Sequence, residues 1–176
     1  MTEKHSNEQK DQFMVGMLVE NYPGVLSQVI RLFSRKGYNI QSVAVDTTDN
    51  PDITRITIIT YGDEMAAQFI LRQLHKQVAV IAAKLLDRSS CVQRGLVMVK
   101  LASDTKEKRD EIIQVVNIFR GQIVDINQEC LTVSITGDLE KIEAFIKLAE
   151  HFGILEIVQS GIVALDRGKT TIFDNN

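Results

Sequence analysis

Two short runs hold the residues best suited to chemistry: Glu20-Asn21-Tyr22-Pro23-Gly24-Val25-Leu26 and, about a dozen residues on, Gly37-Tyr38-Asn39-Ile40. Pro23 fits a first helical turn, where its missing N–H has no intrahelical partner, and Gly24 removes the side chain that would block an approaching ligand. The N–H groups of Val25 and Leu26 then point outward with the positive end of the helix dipole, an arrangement suited to a carboxylate. The plainer reading is a tight strand-to-helix turn, since Asn-x-Pro-Gly is common turn chemistry. Asn39 has two readings as well: it continues a helix C-cap, or its amide accepts from an ammonium and donates to a carboxylate.

Catalytic constellations are missing. His5, His75 and His151 sit in a tail, beside Lys76 and at a helix end, without HxH or HExxH spacing. The chain contains no GxSxG, GxxxxGK[ST] or GxGxxG, so nucleophile-elbow, phosphate-loop and dinucleotide readings lack their residues. Cys91 and Cys130 are far apart; Cys91 is expected to be mildly exposed at a linker and Cys130 packed in a strand, a pattern suited to a reducing compartment. Asp46, Asp49 and Asp52 lack the Gly and distal Glu of a calcium loop and read as a polar turn. No metal is expected.

The 176 residues, 44% of them hydrophobic, suffice for one ordinary domain or two small ones. Twenty basic and 23 acidic residues are interspersed, giving a net charge of -3 and no broad basic face for nucleic acid. No apolar run is long enough to span a membrane, and residues 1–11 are polar rather than signal-like, so a cytoplasmic protein with a flexible N-terminal tail is expected.

The elements that must position the two runs follow from periodicity. Phe13 to Val19 is an apolar strand buried on both faces; Val25, Leu26, Val29, Ile30 and Phe33 make an amphipathic helix ending at Gly37. Ile40 to Asp46 and Ile53 to Tyr61 form a hairpin, and a helix from Asp63 to Gln77 presents Ala66, Phe69, Ile70 and Leu74. Val78 to Leu86 closes the unit. After the linker 87–90 the order repeats: strand Leu96 to Leu101; a helix entered at Ser103-Asp104, with Glu107 placed as in a capping box, carrying Ile112, Val115, Val116 and Phe119; and Gly121 as its stop. Strands Gln122 to Ile126 and Leu131 to Thr136 follow, then a helix from Asp138 with Leu139, Ile142, Phe145, Ile146 and Ala149 inward, and a last strand Leu155 to Leu165. Two βαββαβ units imply an α+β fold of two tandem ferredoxin-like domains, over 12–88 and 91–166, with a tail over 167–176. In such a sheet the first two strands need not be neighbours, so Asn21 and Asn39 are expected to meet only across a dimer interface.

Leu18-Val-Glu-Asn21-Tyr-Pro-Gly24-Val-Leu, Phe33-Ser-Arg-Lys-Gly-Tyr-Asn39-Ile40, Leu74-His-Lys, Phe119-Arg-Gly-Gln-Ile-Val-Asp125 and Ser160-Gly-Ile-Val-Ala-Leu-Asp-Arg-Gly168 fall in one order. Over about residues 13 to 169 the chain resembles the small, regulatory subunit of acetolactate (acetohydroxyacid) synthase. The resemblance implies that the first domain is an ACT domain, pairing with its twin in a homodimer to bind a branched-chain amino acid, usually valine. It implies no catalytic site in this chain, which would activate a large catalytic subunit carrying thiamine diphosphate, Mg²⁺ and FAD and confer feedback inhibition. Asn21, Gly24, Val25, Leu26, Asn39 and Ile40 would line the effector site. The chain departs from the family pattern at Ala79, where many members have an acidic residue, and at Gln93-Arg94-Gly95, where alternating charges are usual. A free-standing ACT-type sensor or transcriptional regulator, and a small enzyme on the same scaffold, are the rival readings; neither has a basic DNA-binding segment or an acid/base pair to support it.

Overall fold

The computed structural model describes residues 12–174. The expected N-terminal tail, with His5, and the last two residues lie outside them.

The first unit runs β1 (Gln12–Glu20), α1 (Val25–Arg35), β2 (Ile40–Thr47), β3 (Ile53–Tyr61), α2 (Glu64–Leu74) and β4 (Val80–Leu86). Its strands pair antiparallel in the order β2-β3-β1-β4, so β1 is central and β2 lies at an edge. One face of β1 and β3 packs Val15, Met17, Val19, Ile56 and Ile58 against Val25, Val29 and Phe33 of α1 and Ala67, Ile70 and Leu74 of α2. The inward stripe of α2 thus includes Ala67 rather than Ala66, and Phe69 stands at the margin with Lys36 Nζ 4.9 Å above its ring. Asp63 caps α2 as expected, accepting from Ala66 N at 2.8 Å. That helix stops at Leu74, and Val78, taken from its sequence as strand, is solvent-exposed ahead of β4.

The second unit repeats the order: β5 (Cys91–Ala102), α3 (Lys106–Ile118), β6 (Gln122–Ile126), β7 (Cys130–Gly137), α4 (Leu139–Ala149), a short 3-10 turn Glu150–Phe152 and β8 (Ile154–Gln159). Its sheet runs β6-β7-β5-β8, and a further strand, β9 (Val163–Asp166), pairs with β5. Both units are therefore split-βαβ, ferredoxin-like folds, as the repeat implied.

Local details differ from the sequence expectation. The strand expected from Leu96 begins five residues earlier, and Cys91 is buried in it rather than mildly exposed. Thr105 caps α3, its hydroxyl accepting from Lys108 N at 3.2 Å, which displaces the Ser103-Asp104 start. Beyond α3 the positive φ falls on Arg120 (51°), not on Gly121. Gly121 is needed for packing instead: a Cβ there would stand 2.1 Å from Ile135 Cδ1. The expected strand Leu155 to Leu165 is broken in two, because Ser160 turns out of line, its N–H donating to Leu96 O and its hydroxyl accepting from Leu96 N, both at 2.9 Å.

Residues 164–174 belong with the first unit. Residues 167–174, expected as a tail, are held by hydrogen bonds. Lys84 on β4 pairs with Asp166 at 2.9 Å and donates to Thr171 O at 3.4 Å; Arg55 Nη2 donates to Ala164 O at 3.2 Å, and Arg167 N to Ser90 O at 3.0 Å. Gly16 makes room for Arg55, since a Cβ there would meet Arg55 Nη2 at 2.9 Å.

Candidate functional site

The loop from β1 to α1 is tied down on both sides. Asn21 N donates to Asp52 O at 2.8 Å and its side-chain amide to Pro51 O at 2.7 Å, fixing the loop against the β2–β3 turn. That turn is itself rigid: Thr48 N bonds Ile53 O, and Asn50 Oδ1 accepts from Asp52 N. Tyr22 OH donates to Gln28 Oε1 at 3.1 Å, bracing the loop against the first turn and a half of α1. Neither Tyr22, Gln28 nor the Pro51-Asp52 corner stood out in the sequence as part of the site; only an aromatic next to the Pro-Gly turn hinted at the first.

Gly24 is the N-cap of α1, with φ 97°, a backbone geometry costly for any residue with a Cβ. Open space surrounds the position a Cβ would take. The other three α-helices have their first turn capped by a side chain, from Asp63, Thr105 and Asp138. α1 has no such cap and no acidic residue in its first turn.

Of the two amides singled out in the sequence, one is taken up by the turn. Val25 N–H turns back onto Tyr22 O at 3.2 Å, and the Val25 side chain is buried in the core, so this residue offers the site no free group. Leu26 N–H keeps no partner among the described residues, and the Leu26 side chain packs half-buried over the core. Ser27 N–H likewise keeps no partner among the described residues, and these amides, a glycine with open space above it and the positive helix end can hold a single carboxylate.

Asn39 and Ile40 lie past the other end of α1. Gly37 (φ 74°) turns the chain out of the helix, Asn39 O accepts from Thr60 Oγ1 at 2.8 Å, and Ile40 pairs with Thr60 on β3. The Asn39 side chain is exposed and Ile40 packs half-buried on the core. Glu20 pairs with Ile53 and Ile40 with Thr60, so these two residues are seven β3 positions apart, about 23 Å at strand spacing, and Asn21 and Asn39 lie beyond them at opposite ends. Within one chain the two asparagines do not form one site.

Among the described residues no cluster of His, Cys, Asp and Glu could hold a metal ion. The carboxyls held below their ordinary range are elsewhere: Asp87 by the Ser89 hydroxyl and amide, Asp104 by Lys108, and Asp174 by the amide and hydroxyl of Thr171. His75 and His151 are exposed, and Cys130, buried, accepts from Asn127 Nδ2. No described helix is long and apolar enough to cross a membrane.

Residues 15–82 match the family model for the small-subunit-like ACT domain of acetohydroxyacid synthase, and residues 94–168 the model for the small subunit of acetolactate synthase. A probable acetolactate synthase small subunit from Methanothermobacter thermautotrophicus is 44% identical over 162 residues, covering 92% of this chain and 96% of that protein. The acetolactate synthase small subunit of Haemophilus influenzae is 39% identical over 90% of this chain and 98% of its own length. The crystal structure of the acetolactate synthase small subunit from Thermotoga maritima superposes with a TM-score of 0.82 at 37% identity, over 91% of this chain and 99% of that one. An ACT-type split-βαβ unit followed by a second of the same topology, matched along almost the whole length, places this chain in the acetolactate synthase small-subunit family.

Proposed function

We propose that this chain is the regulatory subunit of an acetolactate synthase, that it activates a large catalytic subunit, and that it confers feedback inhibition by valine. The large subunit would carry thiamine diphosphate, Mg²⁺ and FAD, and this chain would hold none of them. Two copies pair through their first units. The valine carboxylate lies on Leu26 N–H above Gly24 of one copy, its ammonium near the Asn39 amide of the other, and its side chain against aliphatic groups including Ile40.

The observation that carries the effector site is the uncapped start of α1. An α-helix N-terminus beside three described α-helices that are capped by their own side chains has a donor and a dipole to offer to an outside anion. Metabolite-level affinity needs only about 4 to 8 kcal/mol, and a coupling of about 1 to 3 kcal/mol between effector and catalytic surface suffices for control.

The test is co-purification with the large subunit and acetolactate assays with and without valine, on the natural chain and on Gly24→Asp and Gly24→Ala. Both substitutions pay backbone strain at φ 97°, Asp less than Ala, so greater valine resistance in Gly24→Asp cannot come from strain. Stimulation should survive in both, while Gly24→Asp resists valine clearly more than Gly24→Ala. Equal valine sensitivity in the two variants would remove the carboxylate from this position, and absence of stimulation by the natural chain would remove the subunit role.

A further inference from the structure

We infer that the groove between α1 and α2 is a second ligand site, built for a small polyanion bearing two or more phosphate or carboxylate groups. It is a cavity of about 340 Å³ within the first unit, lined by Gln28, Arg31, Leu32, Arg35 and Lys36 of α1 and its C-terminal turn, and by Gln73 and Gln77 of α2 and the turn after it. Residues 28, 31, 32 and 35 recur at helical spacing on one face, so the side chains reach the same space.

Three cations, Arg31, Arg35 and Lys36, stand in this concavity. Among the described residues, no carboxylate lies within ion-pair distance of Arg31, Arg35 or Lys36. Three lysines elsewhere have carboxylate partners, Lys84 with Asp166, Lys100 with Glu156 and Lys108 with Asp104; what sets Arg31, Arg35 and Lys36 apart is that they line one hollow. Arg31 uses only its Nε, toward Ser27 O at 3.2 Å on its own helix, which leaves the outer fork of the guanidinium for a ligand. Lys36 sits over the Phe69 ring at 4.9 Å, held at the margin of the groove.

The ordinary account of basic residues near a helix C-terminus is the helix dipole, and it covers Arg35 and Lys36. It does not cover Arg31, four residues before the last residue of α1, nor the three glutamines that add neutral donors and acceptors around the charges. A chain with a net charge of -3 gains nothing in solubility from gathering uncompensated positive charge in a hollow, where low-dielectric walls raise the potential. Guanidinium forks match phosphate and carboxylate oxygens two at a time, and the cavity volume lies in the range of small-ligand pockets rather than of a flat docking surface.

The groove also touches the loop that begins α1. Gln28 lines it and accepts from Tyr22 OH, while Tyr22 O accepts from Val25 N–H. A polyanion that recruits the Gln28 amide competes for the brace on the Asn21 to Leu26 loop, so occupancy of the groove changes the loop without sharing its residues. The existence of the groove site is independent of what the loop binds.

The experiment is titration of the full chain with inorganic pyrophosphate and, separately, with citrate, by calorimetry and by amide chemical-shift mapping. Orthophosphate serves as the single-anion control, and the Arg31→Ala/Arg35→Ala double variant, checked for an unchanged circular dichroism spectrum, as the test of place. Pyrophosphate, citrate or both should bind more tightly than orthophosphate, lose affinity with added salt, and weaken at least about tenfold in the double variant. Arg31→Lys/Arg35→Lys should fall between the two, since charge is kept and the forks are lost. Shifts centred on Leu26 and Ser27 instead of Arg31, Leu32 and Gln73, an affinity the double variant does not change, or absence of binding by both probes would overturn the site.

Discussion

Replacing Asp166 by Asn should unfasten the C-terminal segment from the first sheet. Asp166 is the carboxylate facing two cations: Lys84, 4% exposed and 2.9 Å away, and Arg55, whose pKa is lowered by burial and raised in part by this same Asp166. Without the negative charge Lys84 is left buried with one carbonyl, that of Thr171 at 3.4 Å, and the Nε of Arg55 is already without a partner. Removing one member of a buried ion pair costs about 3 to 5 kcal/mol, because the charge left behind has lost both water and partner. Lys84→Met should cost less, since Asp166 keeps Arg55 and an apolar side chain suits the buried position. Adding Lys84→Met to Asp166→Asn should recover part of the loss, a sign of coupling that two independent surface changes would not give. Hydrogen exchange reads the effect where a global melt of a two-unit chain would blur it: the Arg167 amide, bonded to Ser90 O, should exchange about a hundredfold faster or more in Asp166→Asn. Exchange within about threefold of the natural chain, or a double variant worse than the sum of the singles, would refute the buried-pair reasoning.

Two further substitutions test the fold. Gly121→Ala puts a Cβ 2.1 Å from Ile135 Cδ1 and 3.1 Å from Ser134 O; overpacking at a site closed on one side by backbone should cost about 1 to 3 kcal/mol, and a urea midpoint equal to that of the natural chain would contradict it. Thr105→Ala removes the cap from Lys108 N and should cost about 1 kcal/mol, whereas Asp104→Ala should cost less. The reverse order, measured by thermal unfolding, would restore the capping box expected at Asp104 and Glu107.

What the sequence disclosed, and what it hid, divides by range. The caps at Asp63 and Asp138 were legible because an N-cap interacts three residues on, and the strand-helix order was legible because burial of one face imposes a period. Gly24 was legible as a position needing glycine. The two-part β8 and β9 were not, since Leu155 to Leu165 is a nearly continuous apolar run and the break depends on how Ser160 meets Leu96 in another strand. The hold on Ala164 was hidden for the same reason: its partner Arg55 is 109 residues away. At the candidate site, the spacing of Val25 and Leu26 from the cap suggested two equal donors. A local turn to Tyr22 O takes one of them, and the choice between turn and ligand is made by backbone torsions that residue types do not encode.

The separation of Asn21 and Asn39 at opposite ends of β3 has a consequence for stoichiometry on the proposed reading. A two-fold axis that brings the Gly24 end of α1 in one copy to the Asn39 end in another does the same in reverse, since an isologous contact uses each patch twice. One dimer then has two identical effector sites, each half-built in each chain, and an isolated chain has none that is complete. β2, which follows Asn39, is an edge of its sheet, with Val45 41% exposed, and on that reading it is the strand through which a second copy reaches this end of α1. Effector and pairing are thereby linked: a ligand that touches both copies stabilises the pair by its binding free energy, and dilution that separates the copies must weaken the ligand by the same amount.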